Sequence, residues 1–411
     1  MRAIIGVLSS LGASTLLGAG VTRSRQACSS VSSSVGVIGG GLTGVTVARA
    51  LAAAGLHVVL HERANQLGGR MGTVTFEGYT VSTGCSYIKG RDARFIEQLE
   101  CWERAGRVAE WHAAPHAITA RGKWAPLRES ESERWYVGQP HMGSVVQLAD
   151  DERDLIQQWH GDVFDVNFES NTWVVATQHQ SAEDDAAGER TLQEQLEAEV
   201  SISSHLHSAL VVATPVHEAT GFLPRAVVDR ALGRQRHKDF VKERVALAVV
   251  FEQSLELPFG FAALTFGSPV TVAICETSRM AAACVNDSAA ACVGSHKEEV
   301  WVLQSDTAWA KRALDENWSV TTIGDTLLAA FSDALFCNGE KHSRLPELRA
   351  RKVVVWPYGD QDYHVDGDCV WLEDLNLAVA GDWTRDGRVE AAWLSGQAAA
   401  SRLLENRQKW L

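Results

Sequence analysis

The chain has 411 residues, 45% apolar and 22% charged, with 34 Gly against 9 Pro. At roughly 100 to 200 residues per domain this is material for two or three domains with real cores, which excludes a small stapled module, a fibre and a disordered tail. Asp plus Glu number 51 and Lys plus Arg 38, a net charge of −13, and a field of that sign repels phosphate backbones, so nucleic acid is not an expected partner.

The chain opens on a distinct segment, residues 1–34, which carries Arg2, Arg23 and Arg25, no acid, an uncharged stretch from Ala3 to Val21 and a serine-rich run from Ser29 to Ser34. That composition reads as an organellar targeting leader, with a secretory signal as the alternative. Ser9, Ser10, Ser14 and Thr15 dilute the apolar stretch below a transmembrane helix, so no membrane span is expected. The cysteines, Cys28, Cys85, Cys101, Cys275, Cys284, Cys292, Cys337 and Cys369, show no C-x-x-C pair and no Cys/His set at zinc spacing. No metal is expected, and the thiols read as reduced, four disulfides being the alternative.

From Val35 the pattern changes. Val35, Val37 and Ile38 form a buried-strand run that breaks into Gly39-Gly40-Gly41-Leu42-Thr43-Gly44, a G-x-G-x-x-G turn. A helix follows from Leu42 to Ala54, with Val45, Val47, Ala48 and Leu51 at helical spacing, and His57 to Glu62 reads as a second strand. Gly39 suits the tight turn, Gly41 lets backbone approach a pyrophosphate and Gly44 lets the helix pack closely. Glu62 follows at about 20 residues, where a carboxylate accepts hydrogen bonds from a ribose. Beyond Arg63 comes a second glycine turn, Gly68-Gly69-Arg70-Met71-Gly72. A simple nicotinamide dehydrogenase has no need of it, whereas a cofactor with a ribityl-flavin half needs a further close backbone approach with a cation nearby.

Farther along, Val245 to Phe251, Val270 to Cys275, Val300 to Leu303 and Val353 to Trp356 read as strands and Thr321 to Phe336 as a helix, which predicts an antiparallel sheet with helices roofing the nucleotide site. Ser181 to Glu199 is acidic and reads as a solvated excursion. Near the C-terminus a short strand, Leu377 to Ala380, runs into Gly381-Asp382-Trp383, then Gly387-Arg388-Val389-Glu390 and an Ala-rich helix to about Leu404.

The run E-R-x-x-x-x-G-G-R-x-x-T from Glu62 to Thr73, together with the Gly-Asp-Trp ending, resembles the flavin amine oxidase superfamily. Trp135 to Pro140 with Met142, Val211 to Pro215, Trp301 to Gln304 with Trp309, and Trp356-Pro357-Tyr358 make the likeness strongest to its renalase-like branch, from about Val35 to Leu404. The resemblance implies an α/β fold, a Rossmann-type FAD-binding domain with a second, mainly antiparallel sheet-plus-helix substrate domain. After the leader 1–34, the FAD domain would comprise residues 35–75, 150–218 and 370–405, and the substrate domain 76–149 and 219–369. FAD would be held non-covalently by Gly39, Gly41, Leu42, Thr43, Gly44, Glu62, Arg63, Gly69, Arg70, Met71 and Gly84. Val163 would meet the adenine on a strand of the nucleotide domain, Asp382 beside Gly381 the ribityl or pyrophosphate, and the helix starting near Val389 the flavin ring. One departure stands out: where relatives carry an acid and an amide after the Gly-Gly-Arg turn, this chain has Ser82-Thr83-Gly84-Cys85-Ser86-Tyr87.

Most of the 14 Trp read as core, with Tyr87, Trp356 and Tyr358 expected to line the substrate cavity. No acid/base pair can be named, and His57, His61, His342 and His364 read as strand or surface residues. Hydride transfer from a reduced nicotinamide dinucleotide requires stacking and orientation but no base. Related amine oxidases place a lysine near the ring, and Lys341 and Lys352 are the lysines near Trp356. The expected activity is therefore that of an FAD-dependent oxidase taking a hydride from reduced nicotinamide dinucleotides, aberrant isomers included, and reducing O2 to H2O2. The alternatives are an oxidase of a small amine and a non-catalytic flavin-binding protein.

Overall fold

A computed structural model describes residues 34–119, 123–127, 134–179, 201–234, 241–264, 267–283, 297–336, 344–361, 363 and 365–411. The leader up to residue 33, the acidic stretch Ser181 to Glu199, Lys341, His342, His364, Cys28, Cys284, Cys292 and Cys337 lie outside those residues.

Val35–Ile38 is buried at every position, as a strand covered on both faces must be. It pairs in parallel with Val58–Glu62 on one side and Ala209–Val212 on the other. The full sheet runs Val370–Leu372, Leu377–Val379, Ala209–Val212, Val35–Ile38, Val58–Glu62, Ile156–His160, and its neighbours are parallel except for the first pair. Parallel neighbours need a crossover, supplied here by the helix Leu42–Ala53, which buries Val45, Val47, Ala48 and Leu51. Gly55 ends it in the left-handed region at φ +80. Against this helix lies another, Val389–Glu405, so close that a Cβ on Gly396 would come within 2.7 Å of the Thr43 carbonyl oxygen. The two ends of the described chain thus meet beside one glycine turn.

The second sheet has seven strands, in the order Leu348–Gln361, Val241–Phe251, Glu299–Ser305, Val270–Cys275, Phe261–Leu264, His116–Ile118, Trp124–Pro126. Its pairs are antiparallel except Phe261–Leu264 with His116–Ile118. Strand periodicity sorts the residues of Val241–Phe251 between two cores. Ala246, Ala248 and Val250 join the core shared with the nucleotide sheet. Val245, Leu247, Val249 and Phe251 pack instead with Trp309, Ile323, Leu327 and Phe331 of the helices Thr307–Asp315 and Val320–Phe336. At about 1.5 to 3 kcal/mol for each large apolar side chain buried, both faces of the strand are held firmly.

A third sheet, Asp162–Glu169, Thr172–His179 and Ser201–His207, is antiparallel, and its Val166, Trp173 and Val175 pack with Val212 and Leu377. The segment around Val163, expected to return a strand of the nucleotide domain, therefore sits in this separate sheet. The outer parallel strand is instead Ile156–His160, whose sequence Ile-Gln-Gln-Trp-His hides it: only Ile156 is fully buried, and an edge strand can be polar. Cys85, Cys101, Cys275 and Cys369 are all free thiols. No helix among the described residues is long and apolar enough to cross a membrane.

Candidate functional site

Between the parallel sheet and the seven-stranded sheet lies a cavity of about 1770 Å³, well above the roughly 1,000 Å³ that holds a single drug-sized ligand. At one end the first glycine turn forms its floor. Gly39, at φ +106, takes a conformation that favours glycine, and a Cβ there would sit 2.7 Å from the Ala213 carbonyl oxygen. Gly41 differs: its φ of −74 suits any residue, and a Cβ built on it meets nothing within 4 Å. Local packing does not require glycine at this position, yet its absent side chain leaves open the space in front of the helix N-terminus. That helix has no side-chain cap, and Leu42 and Thr43 in its first turn line the cavity, the arrangement of an anion site.

Glu62 also lines this end, and its carboxylate is fixed by two backbone donors, Gly40 N–H to Oε2 at 2.7 Å and Ala64 N–H to Oε1 at 2.9 Å. Arg63 turns to Glu218 at 2.7 Å. Burial pushes the Glu218 carboxyl up from its usual range, although Arg63 opposes the shift. Val163 lines the cavity here as well. Gly44 does not; a Cβ on it would collide with the Gly39 carbonyl oxygen, so its part is to let the helix start against the turn.

The second glycine turn and the C-terminal motif meet across the middle of the cavity. Arg70 Nη2 lies 2.6 Å from Asp382 Oδ1, and Asp382 is almost fully buried. Burial would lower the Arg70 pKa, but Asp382 outweighs it and holds the guanidinium charged. Gly69, Met71, Gly381 and Val389 line the same stretch. Behind Arg70 runs the departing loop: Cys85 N–H donates to the Arg70 carbonyl at 2.8 Å, and a Cβ on Gly84 would strike that oxygen. Three residues to which the sequence reading gave no part in the site hold this loop. Arg279 donates to the carbonyls of Ser82 at 2.9 Å, Cys85 at 3.1 Å and Ser86 at 3.0 Å while pairing with Glu276. Glu276 accepts from Ser82 N–H at 3.1 Å, and Gln304 Nε2 donates to the carbonyls of Thr83 and Gly84 at 3.0 and 2.6 Å. The Glu276/Arg279 pair sits one helical turn apart on Glu276–Ala283, and that spacing was the only signal available in the sequence. Burial raises the Cys85 thiol pKa to about 11, so it is not a ready thiolate.

The far end is roofed by one face of the seven-stranded sheet. Ala246, Phe261, Val272, Gln304, Trp356 and Tyr358 line it, with Tyr87 at its edge, so all three expected aromatics reach the cavity. Arg244 pairs with Asp360 at 2.7 Å on the same wall. Trp301, Trp309, Trp383 and Trp393 are buried, as expected of core residues. Lys352 is exposed and lies off the cavity, while Lys89, not singled out by sequence, lines it. His61 is a strand residue of Val58–Glu62, fully buried, and its Nε2 is 3.0 Å from His207 Nε2.

Residues 37–99 match the model of the NAD(P)-binding Rossmann-like domain. The whole fold is similar to that of a protein from Exiguobacterium sp. 255-15 assigned as a protoporphyrinogen oxidase, with a TM-score of 0.60 at 10% identity, over 91% of this chain and 99% of that one. It is similar also to putrescine oxidase bound to putrescine, with a TM-score of 0.58 at 12% identity, over 91% and 99% of the two chains. The architecture is therefore a Rossmann-type nucleotide domain joined to a second domain of mainly antiparallel sheet and helices, in the arrangement of these oxidases.

Proposed function

We propose that the chain is an FAD-dependent oxidoreductase of the flavin amine oxidase superfamily and, within its renalase-like branch, an oxidase of reduced nicotinamide dinucleotides. The carrying observation is a single oversized cavity with a glycine turn at one end, the Arg70–Asp382 pair in the middle and an apolar, aromatic sheet face at the other. The likeness in fold to proteins named as oxidases supports the same reading.

The residues present fit FAD, as the empty space at Gly41 indicates. Gly39, Gly41, Leu42 and Thr43 would hold the pyrophosphate, Glu62 the ribose and Val163 the adenine. Gly69, Arg70, Met71, Gly84, Asp382 and Val389 would hold the flavin half, non-covalently. When bound, FAD supplies a ring that accepts two electrons with a hydride and later yields them to O2. The balance is one dihydronicotinamide, one proton and one O2 giving the oxidised nicotinamide and H2O2. This chain's own residues orient and shield: Trp356, Tyr358, Phe261 and Val272 make a flat, water-poor wall for a planar ring. No base is required for hydride transfer, which agrees with a wall whose one carboxylate, among the described residues, is already paired with Arg244.

The test is anaerobic mixing of the purified yellow protein with NADH, NADPH and small amines. Bleaching of the flavin by a dihydronicotinamide, with H2O2 released on admitting air, is the expected result. Bleaching by an amine alone overturns the substrate assignment. Bleaching by nothing, in a protein that retains flavin, favours the non-catalytic alternative.

A further inference from the structure

We propose that Phe164 is an aromatic clamp for the base of the bound nucleotide, aimed at it by a β-bulge, and that stacking of adenine on this ring supplies part of the affinity for FAD. This rests on the oxidoreductase reading above and adds a binding residue to the nucleotide end of the same cavity. The strand Asp162–Glu169 pairs Val163 with Thr177 and Asp165 with Ala176, so Phe164 is an extra residue with no partner across the ladder. Consecutive side chains of a regular strand point to opposite faces, and an inserted residue re-aims the side chains around it. Here Val163 and Phe164, neighbours in sequence, both line the cavity. A single exposed phenylalanine is ordinary on any protein surface. One that a bulge turns toward a nucleotide site is not.

The fold leaves this ring without a protein partner. Phe164 is 42% exposed and belongs to none of the three hydrophobic cores, and no aromatic ring packs on it among the described residues. Phe222, from the helix Val216–Phe222 beside this strand, lines the same cavity but packs against the core around Val166 and Trp173. The place of Phe164 is fixed by the chain that leads to it. His160 is the register partner of Glu62, and Gly161 N–H donates to the Glu62 carbonyl at 2.9 Å. The bulge therefore starts two residues beyond a backbone contact with the residue whose carboxylate would hold the ribose. The base is bonded directly to that ribose, so a ribose on Glu62 delivers its base to this strand. There Val163 offers a small apolar contact, whereas Phe164 offers a flat face of the kind on which nucleobases stack.

The experiment reads the FAD dissociation constant from the free-flavin fluorescence that appears on diluting the yellow protein. Phe164→Ala should weaken FAD binding about 5- to 150-fold, the range of one base–aromatic stack. Phe164→Trp should keep the constant within about threefold of the parent's. Because the ring lies outside every core, flavin-free Phe164→Ala should melt within about 2 °C of the flavin-free parent. Unchanged FAD affinity in Phe164→Ala overturns the proposal, as does a Phe164→Trp protein no tighter than Phe164→Ala. An affinity loss accompanied by an early melt overturns it too, since the ring would then serve the sheet. A parent that takes up no FAD sinks the oxidoreductase reading alone. The proposal is then tested by calorimetric binding of ADP, which carries the base and the diphosphate without the flavin: a weaker constant in Phe164→Ala upholds it, and equal or absent binding in the two proteins overturns it.

Discussion

At the scale of single residues the nucleotide end makes two separable demands, one for a charge and one for an absence. Glu62 is held by Gly40 N–H and Ala64 N–H, one on each oxygen, which leaves the outward lone pairs aimed at the cavity. In Glu62→Gln one of these backbone donors would face an amide NH2, and a ribose would lose a charge-assisted acceptor. The expected loss is about 1.5 to 3 kcal/mol of FAD affinity, roughly 10- to 150-fold, seen as a protein that purifies pale and regains colour on titration with FAD. Gly41 makes the other demand. Because a Cβ there touches nothing and φ is ordinary, Gly41→Val should leave the melting temperature of the flavin-free protein within about 2 °C of the parent while abolishing flavin binding. A variant that melts early, or one that stays yellow, would show that the open space in front of this helix is not a ligand's. The Arg70–Asp382 pair is a residue-scale feature too, since removing Arg70 alone strands an almost fully buried carboxylate. Arg70→Met should cost about 3 kcal/mol of stability in urea melts, and Asp382→Asn in the same background should recover part of it.

Elements add what single residues cannot. Gly44 and Gly396 do not touch the cavity directly; they let two helices reach the turn, and a Cβ on either would enter backbone occupied by Gly39 or Thr43. Gly44→Ala should therefore lower stability with or without FAD, the reverse of the pattern expected at Gly41, and comparing the two melts distinguishes packing glycine from binding glycine. The loop 82–86 is likewise shaped from outside. Its backbone carbonyls accept hydrogen bonds from Arg279, which is ion-paired with Glu276 on its own helix, and from Gln304, and these contacts hold a loop that lacks the acid and amide the resemblance led one to expect. This explains what was legible in the sequence. Strand, turn and helix from Val35 to Glu62 are written in contiguous residues with their own periodicity, and they fold as read. Glu276, Arg279 and Gln304 were not legible because each acts on residues some 190 to 220 positions away, a relation that no local pattern encodes. The strand Ile156–His160 was missed for a different reason: an edge position needs little apolar signal.

For the whole molecule, the least anticipated feature is the histidine cluster that joins two sheets. His61 belongs to the parallel sheet and lines the cavity, while His205 and His207 come from Ser201–His207 of the three-stranded sheet. Ser34 Oγ lies 3.0 Å from His207 Nδ1, and His207 Nε2 lies 3.0 Å from His61 Nε2, a contact in which one ring nitrogen must accept and at least one of the two imidazoles must therefore be neutral. His205 packs edge-on against His61 and against Trp159. Burial, followed by the neighbouring His205 and His57, pushes the His207 pKa down to about 3, and burial pushes His61 well below its usual value. The sign follows from linkage. The unfolded chain takes up protons at about pH 6.5 whereas the folded cluster refuses them, so stability is fully present above that pH and drains away as pH falls toward about 3. His207 alone should remove on the order of 2 kcal/mol by pH 5. Because His61 stands next to Glu62, separation of the two sheets should release the nucleotide in the same window. Urea melts of the FAD-loaded protein from pH 8 to pH 5 should be flat above about 6.5 and fall below it, with flavin release tracking the fall. His207→Gln should be less stable than the parent at pH 7.5 yet show a shallower acid slope. Equal slopes in the two proteins would mean that carboxylates elsewhere, and not this cluster, govern acid sensitivity.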